Sequence, residues 1–461
     1  MRFLANNNNI DNGIVMLRSP LIPSLASILL LSACGGGGGG GGNDDTQPAS
    51  YTLNISSLIE NSCGLTTPYK DVELVLQDQD WNVLSTHTAN SEGLISVTTE
   101  LKQVNYTLVS SYKGDNGIES YEAVSYFQAN TSTPVTYFAT HSDKVDNSTC
   151  ECVTQDLVLN HVKLEDIDNA VSSAKFDSFE VSEDGVTTTY RGVQSCRIVG
   201  ENWQDHSFAV SNQEQGYLGF HQDFDANDSM IWEVYDNGSG ISVKIDGQSF
   251  AIQSSQIFNG IRHFAKTIAE DTKQTIVFDN HKYDGDTVYS TSATRAFKDE
   301  SSPFGSVTLN SQDFRYSANY NNAFDVYPSK DDENIDYVTW AEIDASGSYD
   351  YSKVNNHKMA IIRYVYDAKD PDTDLDMPVR WTAFGPIEGQ LPMNTELPML
   401  ANIIESDTKI DETKVTLLRH YSFDNYQEYI NYYAELGNLP VAQQLDKKED
   451  RIHVYNIELV K

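Results

Sequence analysis

Positive charge is scarce in this chain. Lys and Arg number 31 against 67 Asp and Glu in 461 residues, a formal net charge of −36. A surface of that balance repels a phosphate backbone, so the electrostatic term that dominates nucleic-acid binding is missing and no nucleic acid is expected as a partner. Long hydrophobic runs are missing as well. The mostly apolar stretch Leu21 to Leu31 is too short for a permanent membrane span. Several chemical signatures are also absent. There is no His-Glu-x-x-His or Cys-x-x-Cys for zinc and no Gly-x-Ser-x-Gly nucleophile elbow; the ten His are scattered, with His206 and His221 far apart in sequence. What remains is 39% hydrophobic residues, enough to bury a core, on a chain long enough for two to four domains.

The N-terminus carries an address. Met16-Leu17-Arg18 is a short basic start, Leu21 to Leu31 is the apolar segment, and Ser32-Ala33-Cys34 closes it. This order is that of a cleavable export signal. Residues 1–15, with Asn6 to Asn9 and Asp11, do not suit a basic leader, so Met16 is the expected start of translation.

Leu31-Ser32-Ala33-Cys34 resembles the lipobox of bacterial lipoproteins: an aliphatic residue, two small residues, then Cys. The resemblance implies that Cys34 is diacylated on sulfur, palmitate being the usual probe, and becomes the N-terminus of the mature chain. Several acyl chains hold far better than the marginal single chain. Residue 35 is Gly rather than Asp, which by the same resemblance to Gram-negative envelope sorting favours the outer membrane; periplasmic and outward faces both stay open. Gly35 to Gly42 and the polar residues after it, within 34–50, form a flexible tether. Removing residues 1–33 takes away Arg2, Arg18 and Asp11, so the body stays strongly acidic and should stand off anionic head groups.

Four cysteines are left once the lipid has claimed Cys34: Cys63, Cys150, Cys152 and Cys196. An even number in an oxidising compartment reads as disulfides. A bond between Cys150 and Cys152 would close a very tight ring, so Cys63 should pair with one of that duo and Cys196 with the other. A redox or metal role for Cys150-Glu151-Cys152 lacks the usual spacing.

From residue 51 the pattern alternates at period two with turns between the runs, as in an all-β sandwich. Val72 to Leu76, Val83 to Thr86, Leu94 to Thr99, Tyr106 to Val109, Tyr121 to Phe127 and Val135 to Ala139 read as strands. Gln77 to Asp80 and Asn90 to Gly93 read as turns. Pro68 before Val72-Glu73-Leu74, Thr88 to Gly93, and Asn105-Tyr106-Thr107-Leu108 resemble the carboxypeptidase-regulatory-like family, with Asn105 in place of the usual Gly. The resemblance implies a transthyretin-like β-sandwich over 51–159, serving as an accessory module.

The remainder, 160–461, is expected to be β-rich with a few helices and an internal boundary near 300; the fold class is therefore mainly β. Residues 161–175 show helical spacing at Leu164, Ile167, Val171 and Ala174. Gly192, Asp246-Gly247 and Asp284-Gly285 read as turns. Asp424 with Gln427 reads as a cap for a late helix carrying Tyr426, Tyr429, Ile430 and Tyr433, and Arg451 to Val460 as a last strand.

Two acidic stretches could converge on a hard cation, with Ca²⁺ the cofactor considered: Asp370, Asp372, Asp374 and Asp376, and separately Asp223, Asp225 and Asn227. Neither has the glycine or terminal glutamate of an EF-hand loop, and the plainer reading is a solvated acidic turn. No catalytic residue stands out. The leading expectation is a non-enzymatic lipid-anchored envelope protein that binds a protein or glycan ligand or has a structural role. The alternative is an extracytoplasmic hydrolase of glycan or peptide carrying the sandwich as an accessory.

Overall fold

The computed structural model describes residues 50–460 apart from 114–116, 222–230, 234–240, 245–250, 259–260, 269–273, 279–286, 300–305, 325–346, 393–396, 405–407, 438–449 and positions 353, 355, 371, 372 and 402. Strands dominate: twenty-seven are seen among the described residues, with two α-helices. No helix among them is long and apolar enough to cross a membrane.

Alternation builds the first module. In Tyr51–Glu60 every second residue, Leu53, Ile55 and Ile59 among them, turns inward. This strand pairs with Leu94–Thr99, Thr66–Pro68 and, in parallel, Val135–Ala139. The opposing layer is Val83–Thr88, Val72–Gln77, Gln103–Lys113 and Glu119–Asn130. Leu53, Ile55, Ile95 and Val97 from one layer meet Leu74, Leu76, Tyr106 and Leu108 from the other in a single cluster. The result is two sheets packed face to face, complete by Ala139. The Asn90 turn falls where alternation predicts it. Asn90 Oδ1 accepts from the Glu92 and Leu94 amides, and Gly93 adopts φ +71°.

The second layer continues past the module. Val379–Pro386 pairs in parallel with Glu119–Asn130, extending the layer to twelve strands. Beyond Val379–Pro386 the order is Met359–Tyr366, Ile410–His420, Asp450–Val460, Ser306–Ser317, Thr287–Asp299, Ala251–Phe258 and Ile261–Ile268. At the join, buried Trp381 donates through Nε1 to Ser125 Oγ at 2.8 Å. Ser125 shares its proton with Thr107 Oγ1 at 2.7 Å, and Thr107 donates to Gln77 Oε1 at 2.9 Å. The relay is unidirectional, since each hydroxyl accepts once and donates once. It runs across four strands with all its hydroxyls buried. Trp381→Phe keeps most of the volume and removes the first donor, leaving Ser125 without it. A loss of about 1–3 kcal/mol is expected, read from urea unfolding.

Several expectations need correcting. Residues 161–175 are not a helix: Asn169–Ser172 is a strand paired with His206–Ser211. The apolar spacing is helical, but Leu164 and Ala174 are buried within a β-lined cluster. Gly192 is not in a turn. It lies inside Thr187–Ile198 at φ +65°, where the register shifts, and a Cβ there would run into the Asp177 carboxylate. Gln77 belongs to its strand with a buried side chain, and the turn runs from Asp78 to Asn82. The late helix is Tyr426–Gly437, but its cap is Asn425, whose Oδ1 accepts from Glu428 N while Glu428 reaches back to Asp424 N. Cys150–Asn160, at the end of the expected module, pairs instead with Thr187–Ile198 beyond it. Thr287–Asp299 and Ser306–Ser317, on either side of residue 300, pair with each other along their length. The turns expected at Asp246-Gly247 and Asp284-Gly285 lie outside the described residues.

Candidate functional site

Three places hold chemistry. The first is a cleft of about 190 Å³ where the Asp78–Asn82 turn of the sandwich meets residues 386–390 beyond the join. Two of its lining residues, Trp81 at φ +65° and Gln128 at φ +45°, occupy left-handed backbone that non-glycine residues seldom adopt. Specific bonds hold both. Trp81 Nε1 donates to Gln390 O at 2.8 Å, and its ring meets Phe127 edge-on at 4.8 Å. Gln128 N donates to Asn105 Oδ1 at 2.8 Å, and Gln427 Nε2 donates to Gln128 O at 2.9 Å. Asn105 stands where the resembled family has Gly, and its amide group bridges two sides of the cleft, because its Nδ2 also donates to Gln79 O at 3.2 Å. Exposed Asp80 and Glu388 put carboxylates on the rim, with the side amides of Gln79, Gln128 and Gln390. Such a rim can exchange hydrogen bonds with a hydroxylated or amide-bearing ligand. Pattern reading misses this cleft. The available signal is a Trp inside the otherwise polar segment Gln77-Asp78-Gln79-Asp80-Trp81-Asn82.

The second is the cysteine cluster. The bonds are Cys63–Cys150 and Cys152–Cys196, one of the two pairings that ring size left open. Cys152 and Cys196 stand directly opposite each other in register, with Cα atoms 4.1 Å apart. Cys63 sits in a turn whose amides at Cys63 and Leu65 both donate to Asn61 Oδ1 at 3.0 Å. On the other face of the same strand pair, Arg197 is ion-paired with Glu151 and lies 4.3 Å over the Trp203 ring.

The third is the acidic hairpin loop after Tyr366. Asp370 caps its own turn, accepting from Thr373 N at 2.7 Å and Thr373 Oγ1 at 2.8 Å. Asp376 is ion-paired with Lys369, and Asp374 is at φ +57°. Asp372 lies outside the described residues, as do the Asp223, Asp225 and Asn227 stretch and Cys34. Among the described residues, the cysteines are the only three or more potential ligands found within 4.8 Å of one another.

Histidines pair with buried hydroxyls. His206 meets Ser195 at 2.8 Å, His263 meets Ser207 at 2.6 Å, and His453 lies between Ser311 and His357, at 3.1 Å from each. Each of these serines is buried within a sheet, out of reach of a substrate. His141 bonds Ser110 at 2.7 Å, stacks on Tyr112 at 4.9 Å and lies 3.7 Å from Glu122. Burial holds the His141 imidazole below its ordinary 6.5, with Asp143 pulling it up and Lys144 pushing it down. Burial raises the Glu122 carboxyl above its ordinary 4.5 against the pull of Arg380 and Arg363.

The signs oppose. The depressed histidine weakens the fold as pH falls below 6.5, where the unfolded chain takes the proton more readily. The raised glutamate favours the fold below 4.5, and that contribution disappears as pH rises through its elevated value. In a Glu122→Gln chain the glutamate contribution should be gone, leaving a steeper rise of the urea midpoint with pH toward 6.5 than in the parent. A pH series of urea melts on both chains reads this directly.

No family model matches the chain, and no curated protein does. Among solved structures it is similar to two B repeat units (B1B2) of the collagen binding protein (CNA) of Staphylococcus aureus, at 11% identity over 73% of this chain and 99% of that one. The TM-score of 0.13 is too low to imply a shared fold. The chain is thus defined by its architecture: a mainly β protein with an N-terminal two-sheet module and two disulfides.

Proposed function

We propose that the chain is an outer-membrane lipoprotein, anchored through Cys34, that holds a β-rich body away from the bilayer for a binding or structural role. The observation that carries this reading is the order of parts: an apolar leader ending in Leu31-Ser32-Ala33-Cys34, a glycine tether, and a first strand at Tyr51. Two disulfides near the start of the body support export to an oxidising compartment. The N-terminal sandwich is an accessory module of the carboxypeptidase-regulatory-like kind. The cleft between Trp81 and Glu388 is where a ligand docks; its carboxylate and amide rim suits a glycan, read by hydroxyl hydrogen bonds. A binding role is favoured over hydrolysis because the cleft is lined by acids and amides with no serine, histidine or cysteine, and the Ser195–His206, Ser207–His263 and Ser311–His453 pairs are buried.

Two measurements test the proposal. Cells expressing the chain are fed an alkyne-tagged palmitate; the mature protein should carry the label and sediment with outer membranes, and an unlabelled chain would remove the anchor. A glycan array probed with the chain and with its Glu388→Gln variant tests the cleft: hits should weaken in the variant, and equal binding by both would remove the cleft from the reading.

A further inference from the structure

The two disulfides share one point in space. Cys150 and Cys152, two apart on one strand, direct their side chains to the same face, and Cys196 stands opposite Cys152 on the neighbouring strand. Cys63 arrives from the turn after Tyr51–Glu60 and is bonded to Cys150. The sulfurs of Cys63, Cys150 and Cys152 all lie within 4.8 Å of one another, and that of Cys196 is bonded to Cys152. A tetrahedral zinc with Zn–S bonds of about 2.3 Å needs its sulfurs about 3.8 Å apart; three of them are already gathered, and Cys196, outside that group but bonded to Cys152, must swing in as the fourth.

We infer that, with both bonds reduced, these four cysteines form a site for one soft or borderline divalent cation, Zn²⁺ being the natural occupant. The chemistry balances. Each S–S bond takes two electrons and two protons from a dithiol reductant, which leaves as its own cyclic disulfide, and yields two thiols. Zn²⁺ then displaces four protons as four Zn–S bonds form, leaving the centre at a net charge of −2. Access is through Cys152, the exposed member of the cluster, while Cys63 and Cys196 are buried. An attacking thiolate therefore meets Cys152 first and releases Cys196.

Contacts other than the sulfurs also hold the cluster in place. Asn61 holds the Cys63 turn through backbone amides, Gln204 Nε2 donates to Cys63 O at 3.2 Å, and the Arg197–Glu151 pair clasps the two strands from the opposite face. The disulfide and metal forms exclude each other, so the same four residues staple the fold when oxidised and chelate when reduced.

The test uses the mature chain, reduced anaerobically with a phosphine, desalted, and titrated with Co²⁺ as a spectroscopic probe. The expected result is uptake of one Co²⁺ per chain with the ligand-field and thiolate charge-transfer bands of a tetrahedral thiolate centre, displaced by one equivalent of Zn²⁺. The unreduced chain should show neither band. Cys152→Ser and Cys63→Ser should each lower the affinity of the reduced chain at least about tenfold. No uptake, an octahedral spectrum, or uptake unchanged in the serine variants would overturn the inference. If reduction unfolds the chain, recovery of its β-sheet circular dichroism on adding one equivalent of Co²⁺ supports the site, and failure to recover overturns it.

Discussion

Replacing Cys34 by Ser is expected to abolish lipid attachment and release the protein from the membrane fraction. The sulfur is the atom that accepts the diacylglyceryl group, and a hydroxyl does not substitute for it in the lipobox chemistry that this segment resembles. What remains to hold the body at a bilayer is weak. Its charge is strongly negative, so anionic head groups repel it. Several acyl chains separate stable anchoring from marginal contact, at about 0.8 kcal/mol per buried methylene, so the partition should collapse by orders of magnitude. Cell fractionation with quantitative blotting measures it. A Cys34→Ser chain that still sediments with lipid would sink the anchor.

Removing the longer disulfide should cost the fold more than most single side chains could. Cys63–Cys150 closes 87 residues, and loop-closure entropy puts the stabilisation at about 4.6 kcal/mol. Cys152–Cys196 closes 44 residues and by the same relation contributes about 4 kcal/mol. The larger effect also has a distinct location. Cys63 follows the first strand of the sandwich, while Cys150 opens a strand of the neighbouring sheet, so their bond ties the two together. Cys63→Ala/Cys150→Ala should lower the urea midpoint more than Cys152→Ala/Cys196→Ala, whose strands remain paired in register without the bond. Equal losses in the two double variants would show that loop length and this tie count for less than supposed.

Local alternation carries strands such as Tyr51–Glu60 and Leu94–Thr99 well because they bury one face. Leu94–Thr99 and Val135–Ala139 have the predicted bounds, and the final strand is one residue longer. Where the pattern misleads, a long-range partner decides. Ile167, Val171 and Ala174 look helical in isolation, yet the strand His206–Ser211 recruits Asn169–Ser172 into a ladder. Gly192 looks like a turn, but its positive φ belongs to a bulge beside Asp177. The disulfides are legible because ring size excludes one of three pairings; the choice between Cys150 and Cys152 for Cys63 requires the register. The cleft is not legible, since its lining comes from positions some 300 residues apart, about as far as Trp81 is from Gln390. Nor is the join, where Val379–Pro386 meets a strand that the pattern assigns to a separate module.

That join has a consequence for biogenesis. If the chain is exported as proposed, threading from its N-terminus delivers Glu119–Asn130 about 250 residues ahead of its lateral mate, Val379–Pro386. Through that interval one flank of the early module carries unpaired amides and carbonyls, a template for any passing extended segment. Periplasmic holding factors would have most to do in this window, and newly secreted copies would be most prone to stick to one another before the late strand docks.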